Sequence, residues 1–361
     1  MNLGALLLVC MALEPFPMRP QGDGAAAATV AREDTAPPAP VLAPPARASQ
    51  AAPRPLPDLL ATFEGLPVER ILRKGEDGAP LRATYVRAGT QIDHGPELRW
   101  HDNGGLALAR TWRNGKQDGL VEEWYASGYQ MRSGTWVADL REGTWTTWFE
   151  DGIPRLVREY SGGTYHGRSV EWFQTGALRS ITEWKNGRQH GDAVQCGRDG
   201  RVLSRGRYAD GQRDGDWVEY GPDGALTARG RYRAGREDGP WLRVDEARQR
   251  IEEDFANGLL QGTRRITNAA GKVVSEGRYV AGKAHGVARE WYADGVQKSE
   301  ISFADGVQDG PVRYWFENGT LQIEGTMKSG KREGLWGYWK ADGTRDPEWS
   351  GTYRDDKKVA D

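Results

Sequence analysis

The sequence is poor in the residues that build enclosed chemistry. Its 361 residues include two cysteines, Cys10 and Cys196, far apart in the chain. That excludes a disulfide framework and any C-x-x-C metal or redox pair. Neither charge is in surplus, because Lys+Arg (49) and Asp+Glu (51) nearly cancel. No overall field draws the chain to nucleic acid, so no nucleic-acid partner is expected. The N-terminal apolar run from Leu3 to Leu13 is too short to span a bilayer. There is no phosphate loop, nucleophile elbow or H-E-x-x-H. These absences exclude the usual catalytic and cofactor motifs. The chain reads as a non-enzyme with no cofactor and no metal.

Glycine (48) and tryptophan (15) are abundant instead, which suits many turns and a thin aromatic core. Eleven glycines recur at a nearly fixed interval: Gly95, Gly119, Gly143, Gly167, Gly191, Gly215, Gly239, Gly262, Gly286, Gly310 and Gly334. Each step is 24 residues except the one of 23 from Gly239 to Gly262. A period of this size marks a repeat architecture. We call the marking glycine position 0.

A second glycine falls at position 9, often after Asp or Asn, as in Asp151-Gly152, Asp223-Gly224 and Asn318-Gly319. A third precedes the next position 0 by four residues, as in Asn114-Gly115 and Asn186-Gly187. Asn-Gly and Asp-Gly pairs tolerate the positive φ of hairpin turns. Two turns per unit leave two segments of about seven residues, the length of strands. The tryptophans keep phase. Position 5 holds Trp100, Trp124, Trp148, Trp172, Trp291, Trp315 and Trp339, and position 2 holds Trp145, Trp217, Trp241 and Trp336. Position 17 holds Trp or another aromatic, and position 11 is often aliphatic.

The expected fold is all-β: an elongated, twisted antiparallel meander of about eleven 24-residue β-hairpin repeats. With positions 7 to 10 as the loop, strand alternation places positions 2, 4, 6, 11, 13, 15 and 17 on one packed face. Glycine at position 15 leaves room there for a neighbouring ring. Trp at position 5 then projects from the opposite face, and these seven tryptophans are the candidate partner-binding residues. The alternative for them is cross-strand packing within the sheet. One residue more or less in the loop would exchange the faces.

Cys196 occupies position 5, so it reads as a packed thiol. His94, His166, His190 and His285 each precede a position-0 glycine, where other units have Asp118, Asp214, Asp238 or Asp309. Strung along an edge, they suit turn hydrogen bonding, since metal ligands must converge. Glutamates at position 4, such as Glu123, Glu171, Glu219 and Glu290, suit a solvated or salt-bridged ladder.

The chain divides into a leader (1–31), an unfolded Ala/Pro-rich linker (32–62), the array (63–354) and a tail (355–361). The apolar run has the length of a signal h-region, although no Lys or Arg precedes it, and Ala25 to Ala28 offer a cleavage site. Export to the periplasm, cell surface or medium is expected, with a cytoplasmic location as the alternative. Leu7-Leu8-Val9-Cys10 resembles a lipoprotein box, but Val9 stands where a small residue belongs. The linker is extended because proline fixes φ and lacks an N–H.

The unit resembles the MORN-variant repeat. Asn186-Gly187-Arg188-Gln189-His190-Gly191 carries the resemblance, as does Gly282-Lys283-Ala284-His285-Gly286 followed by Glu290-Trp291-Tyr292 and Asp294-Gly295. The unit from Gly239 departs from it, with Asp245-Glu246-Ala247-Arg248 at the turn. Arrays of this kind look like YwqK-like antitoxin proteins. The resemblance implies a scaffold that binds a protein partner, such as a toxin to be neutralised. The alternative is a module that lays its Trp row on a membrane surface or cell-wall glycan.

Overall fold

The computed structural model describes residues 35–48, 50 and 60–361. The leader, Cys10 and the cleavage site lie outside the described residues, as do 32–34, 49 and 51–59 of the linker. The described residues contain no helix. From Thr62 onward the chain forms 31 strands of one antiparallel sheet. Strands follow one another in chain order, so the sheet is a meander of hairpins. At its two ends Thr62–Phe63 pairs with Leu66–Lys74, and Lys357–Ala360 pairs with Gly351–Arg354, which leaves the sheet open. The expected tail therefore supplies the last strand.

One unit explains the rest. Strand Gly215–Tyr220 pairs with Leu226–Arg233 through Gly215↔Tyr232, Trp217↔Gly230 and Glu219↔Ala228. The next pair is Tyr220↔Leu226, so Thr227 is left over as a β-bulge. Alternation then puts positions 0, 2, 4, 13, 15 and 17 on one face and positions 3, 5, 11 and 14 on the other. This corrects the expected faces. The extra residue reverses the parity of the strand, and the position-11 aliphatics join Trp at position 5 rather than Trp at position 2. The same shift recurs at Trp100, Trp124, Trp172, Cys196, Trp291 and Trp315.

The short unit lacks this residue. Gly239–Val244 pairs with Arg250–Ala256 without interruption, from Gly239↔Phe255 to Val244↔Arg250. Its turn still forms, with Arg248 at φ 59° in the place of the usual glycine and the Arg248 N–H donating to Asp245 O at 3.0 Å.

The other turn joins one repeat to the next. Asn114 and Gly115 have φ of 52° and 82°, the doubly positive pair of a type I′ turn. Gly115 N donates to Asp93 O and Gly187 N to Tyr165 O, both at 2.8 Å, so each turn is fastened to the repeat before it. The residue before position 0 adds a second tie. Asp214 accepts from Ala234 N at 3.0 Å, Asp309 from Ser329 N at 3.0 Å, and His94 Nδ1 from Asn114 N at 3.1 Å. The turn hydrogen bonding expected of the residues before position 0 is thus present at Asp214, Asp309 and His94.

Candidate functional site

Both faces of the sheet are packed, by different means. On the first face, Trp at position 2 lies over glycine at position 15 of the preceding unit. Trp145 covers Gly134, Trp217 covers Gly206, Trp241 covers Gly230 and Trp336 covers Gly325. The indole N–H groups of Trp145, Trp217 and Trp241 donate to the carbonyls of Thr135, Arg207 and Arg231. Position-17 rings meet these indoles edge to face, giving the runs Trp136–Trp145–Tyr160–Tyr165–Trp184 and Tyr208–Trp217–Tyr232–Trp241. Arginines close over them. The Arg213 guanidinium sits 4.2 Å from the Trp217 ring centroid, and that of Arg141 4.7 Å from Trp145. The position-4 glutamates are ion-paired: Glu123 with Arg132, Glu171 with Arg179, Glu219 with Arg213 and Glu290 with Lys298.

The first unit replaces the indole with a charge. Glu97, at position 2, is fully buried. It accepts from Arg99 Nε at 2.8 Å, Arg110 Nε at 2.7 Å and Trp112 Nε1 at 2.7 Å. Arg82 Nε stands 2.8 Å away as an ion pair without hydrogen-bond alignment. Burial alone would raise the carboxyl pKa, but the bonds from Arg110, Trp112 and Arg99 outweigh it and bring it down to about 2. The cluster is a charged substitute for the aromatic ladder.

The second face carries the seven candidate tryptophans. Trp124 and Trp172 are buried, and Trp100, Trp148, Trp291, Trp315 and Trp339 are half-buried, so none stands free. The bulge is the reason, because it sets a position-11 side chain beside each Trp. Trp124, Leu98 and Leu106 form one cluster, and Trp172, Leu178, Cys196, Val202, Tyr220 and Leu226 belong to a larger one. Cys196 is a free, packed thiol, as its place in the repeat suggested, and burial pushes its pKa up to about 11. Further along, the same face becomes ionic. Arg265–Glu276, Arg289–Glu300 and Arg313–Glu324 pair across positions 3 and 14 at 2.7–2.8 Å.

The apolar part of this face is covered by the chain's own linker. Residues 35–48 were expected as an unfolded spacer; they are extended, but docked. Ala36 N donates to Gly224 O and Ala39 N to Gly200 O, both at 2.7 Å, and Ala48 N donates to Gly152 O at 2.9 Å. Val202 N donates in return to Pro37 O at 3.1 Å, and Trp148 Nε1 donates to Ala46 O at 3.2 Å. Ala36, Ala39 and Leu42 pack on the large cluster. Sequence reading missed this strap because prolines that preclude regular structure do not preclude docking. A usable clue lay in Ala36-Pro37-Pro38-Ala39, whose two N–H donors are three residues apart.

The family model described as MORN repeat variant matches residues 308–329. That stretch lies in phase with the period of the whole array. No curated protein matches the chain. Among solved structures, the Photorhabdus luminescens Tc holotoxin pore aligns with 81% of this chain and 16% of its own, at 12% identity and a TM-score of 0.16. The crystal structure of TcdB2-TccC3 aligns with 77% of this chain and 15% of its own, at 12% identity and a TM-score of 0.17. The chain thus spans about a sixth of the chains it matches, and at these scores the likeness carries no argument.

Proposed function

We propose that this chain of MORN-variant repeats is a non-catalytic scaffold that binds a protein partner, in the manner of an antitoxin that covers its toxin. One observation carries the reading: the apolar face of the sheet already holds a length of extended polypeptide, the chain's own residues 35–48. A surface that accepts main chain through regularly spaced acceptors is built for protein contact. The ionic stretch from Arg265 to Glu324 adds a second, charge-patterned area. The Trp row offers less to a glycan or a lipid headgroup layer, since its rings are spent on packing.

The test is co-purification of the tagged full chain with the product of the adjacent gene, followed by calorimetry and a growth-rescue assay. A stable complex and rescue are expected. Binding to glycan or to anionic vesicles, with no protein complex, would overturn the reading in favour of the surface module.

A further inference from the structure

We propose that the apolar strip between Trp148 and Leu226 is a groove for an extended proline-rich peptide, read three residues per repeat, with residues 35–48 as its built-in and imperfect occupant. The partner that replaces them is a protein segment of the same chemistry. The proposal rests on the protein-binding reading above and names the class of partner.

The spacing carries the argument. A polyproline II helix rises about 9.3 Å in three residues. A hairpin repeat advances by two strands, about 9.6 Å. The two periods agree, so one peptide turn can meet one repeat indefinitely. The strap uses this match: Ala36 and Ala39, three apart, bond to Gly224 and Gly200, one repeat apart. The bridges Thr35↔Ala225 and Pro38↔Arg201 have the same step. Pro37 and Pro38 fall between the donors, where an N–H is not needed. Position 9 supplies the acceptors. Glycine is there for the positive φ of the turn (81° at Gly224 and 77° at Gly200), and the strap lies in ordinary contact with it, Ala36 Cβ being 3.8 Å from where a Gly224 Cβ would stand.

The fit then slips. From Ala39 to Ala48 the strap uses nine residues to pass from Gly200 to Gly152, two repeats that the three-residue rule covers in six. The surplus lies over the repeat of Trp172. Among the described residues the Trp172 indole N–H is buried there without a hydrogen-bond partner, as are those of Trp184 and Trp336 on the other face, whereas the Trp148 indole N–H, one repeat away, donates to the strap carbonyl of Ala46. An unsatisfied buried donor is a cost that a better-registered peptide would remove. The occupant is therefore one that can be displaced. The groove also has an end: position 14 is already charged at Arg205 and Arg229, and beyond Leu242 position 3 changes from aliphatic to Arg265, paired with Glu276, which an apolar peptide would have to desolvate.

The experiment uses the full chain and its Ala36→Pro/Ala39→Pro form, which loses both donors but keeps the extended conformation. Two labelled probes are titrated: a peptide copying residues 35–50, and (Ala-Pro-Pro)4-Ala, which keeps the three-residue register without a slip. Hydrogen exchange is followed at Ala36, Ala39 and Ala48. The expected result is protected strap amides in the wild-type chain. Both probes should bind the substituted chain at least tenfold more tightly than the wild type, the repeating probe best, and an all-proline peptide not at all. Equal binding of the probes to the two chains, or no binding to either, overturns the proposal. Wild-type dimers broken by the probe would overturn the partner assignment in favour of a second copy. A chain that captures its partner but shows no such difference keeps the scaffold reading and loses this one.

Discussion

Gly230 lies directly beneath the indole of Trp241, so close that a β-carbon on Gly230 would stand under 3.0 Å from the ring. The glycine is there for space, since its φ is ordinary. Trp241 can neither rise, because its N–H is held by Arg231 O at 3.1 Å, nor tilt freely against Tyr232 at 4.9 Å. Gly230→Ala should therefore destabilise the chain by about 2–3 kcal/mol through overpacking. Gly277→Ala, where the neighbour is the small Ala288 Cβ at 3.3 Å, should cost less than about 1 kcal/mol. Thermal and denaturant melts of the two variants measure the contrast, and equal losses would contradict the packing argument.

Glu97 ties folding to acid. Its carboxyl is lowered from 4.5 to about 2 in the folded chain. A carboxylate with a depressed folded pKa stabilises fully above its unfolded pKa and loses that contribution as pH falls through the folded value. The window here is about pH 4.5 down to 2, and the linked stability is at most about 3 kcal/mol. Glu97→Gln should melt lower than wild type at neutral pH, by loss of a charged partner to the half-buried Arg82 and Arg110 and the exposed Arg99. The gap between the two melting temperatures should narrow as the pH is lowered through that window. A constant gap would show that the charge on Glu97 is not what stabilises the cluster.

The bulge is dispensable as a single residue. The Gly239 unit folds without it, pairing from Val244↔Arg250 to Gly239↔Phe255. Deleting Thr227 should therefore convert the Gly215 unit into a second 23-residue hairpin that still folds, losing on the order of 1–2 kcal/mol. Deleting Gly224, which removes the positive-φ residue of the turn (φ 81°), should be far more damaging. Circular dichroism and urea midpoints of both variants provide the check.

Cys196 should be a poor nucleophile. Its pKa is raised to about 11, first by burial and then by Asp199, so the thiolate forms only as pH rises towards that value. At pH 8 the thiolate fraction is on the order of one in a thousand. In a Cys10→Ser background, a disulfide reagent at pH 8 should leave the native chain almost unlabelled and react promptly in denaturant. Rapid native labelling would mean that Cys196 is not packed as described.

The hairpin period, both turns and the strand lengths are legible in the sequence because each depends on local backbone chemistry. Asn114-Gly115 and Asn186-Gly187 need no partner to announce positive φ, and the structure places them at type I′ turns. The place of glycine at position 15 beside an indole was also readable, as Gly206 and Trp217 confirm. The facing of position 11 was not. Thr227 and its counterparts resemble any other strand residue, and only the register against the partner strand exposes them as bulges. The docked strap was hidden for a related reason, since nothing in a proline-rich stretch states which surface matches its rise.

The sequence by itself determined that this chain turns back every dozen residues and stacks its aromatics in rows, because glycine, asparagine and β-formers impose those choices locally. Only the tertiary structure decided which rows share a face, that a glutamate can replace an indole at Glu97, and that residues 35–48 lie along the position-9 glycines. Those outcomes depend on register and on distances between segments far apart in the chain. One bulge residue reverses a strand's faces, and one coincidence of periods turns a spacer into a ligand.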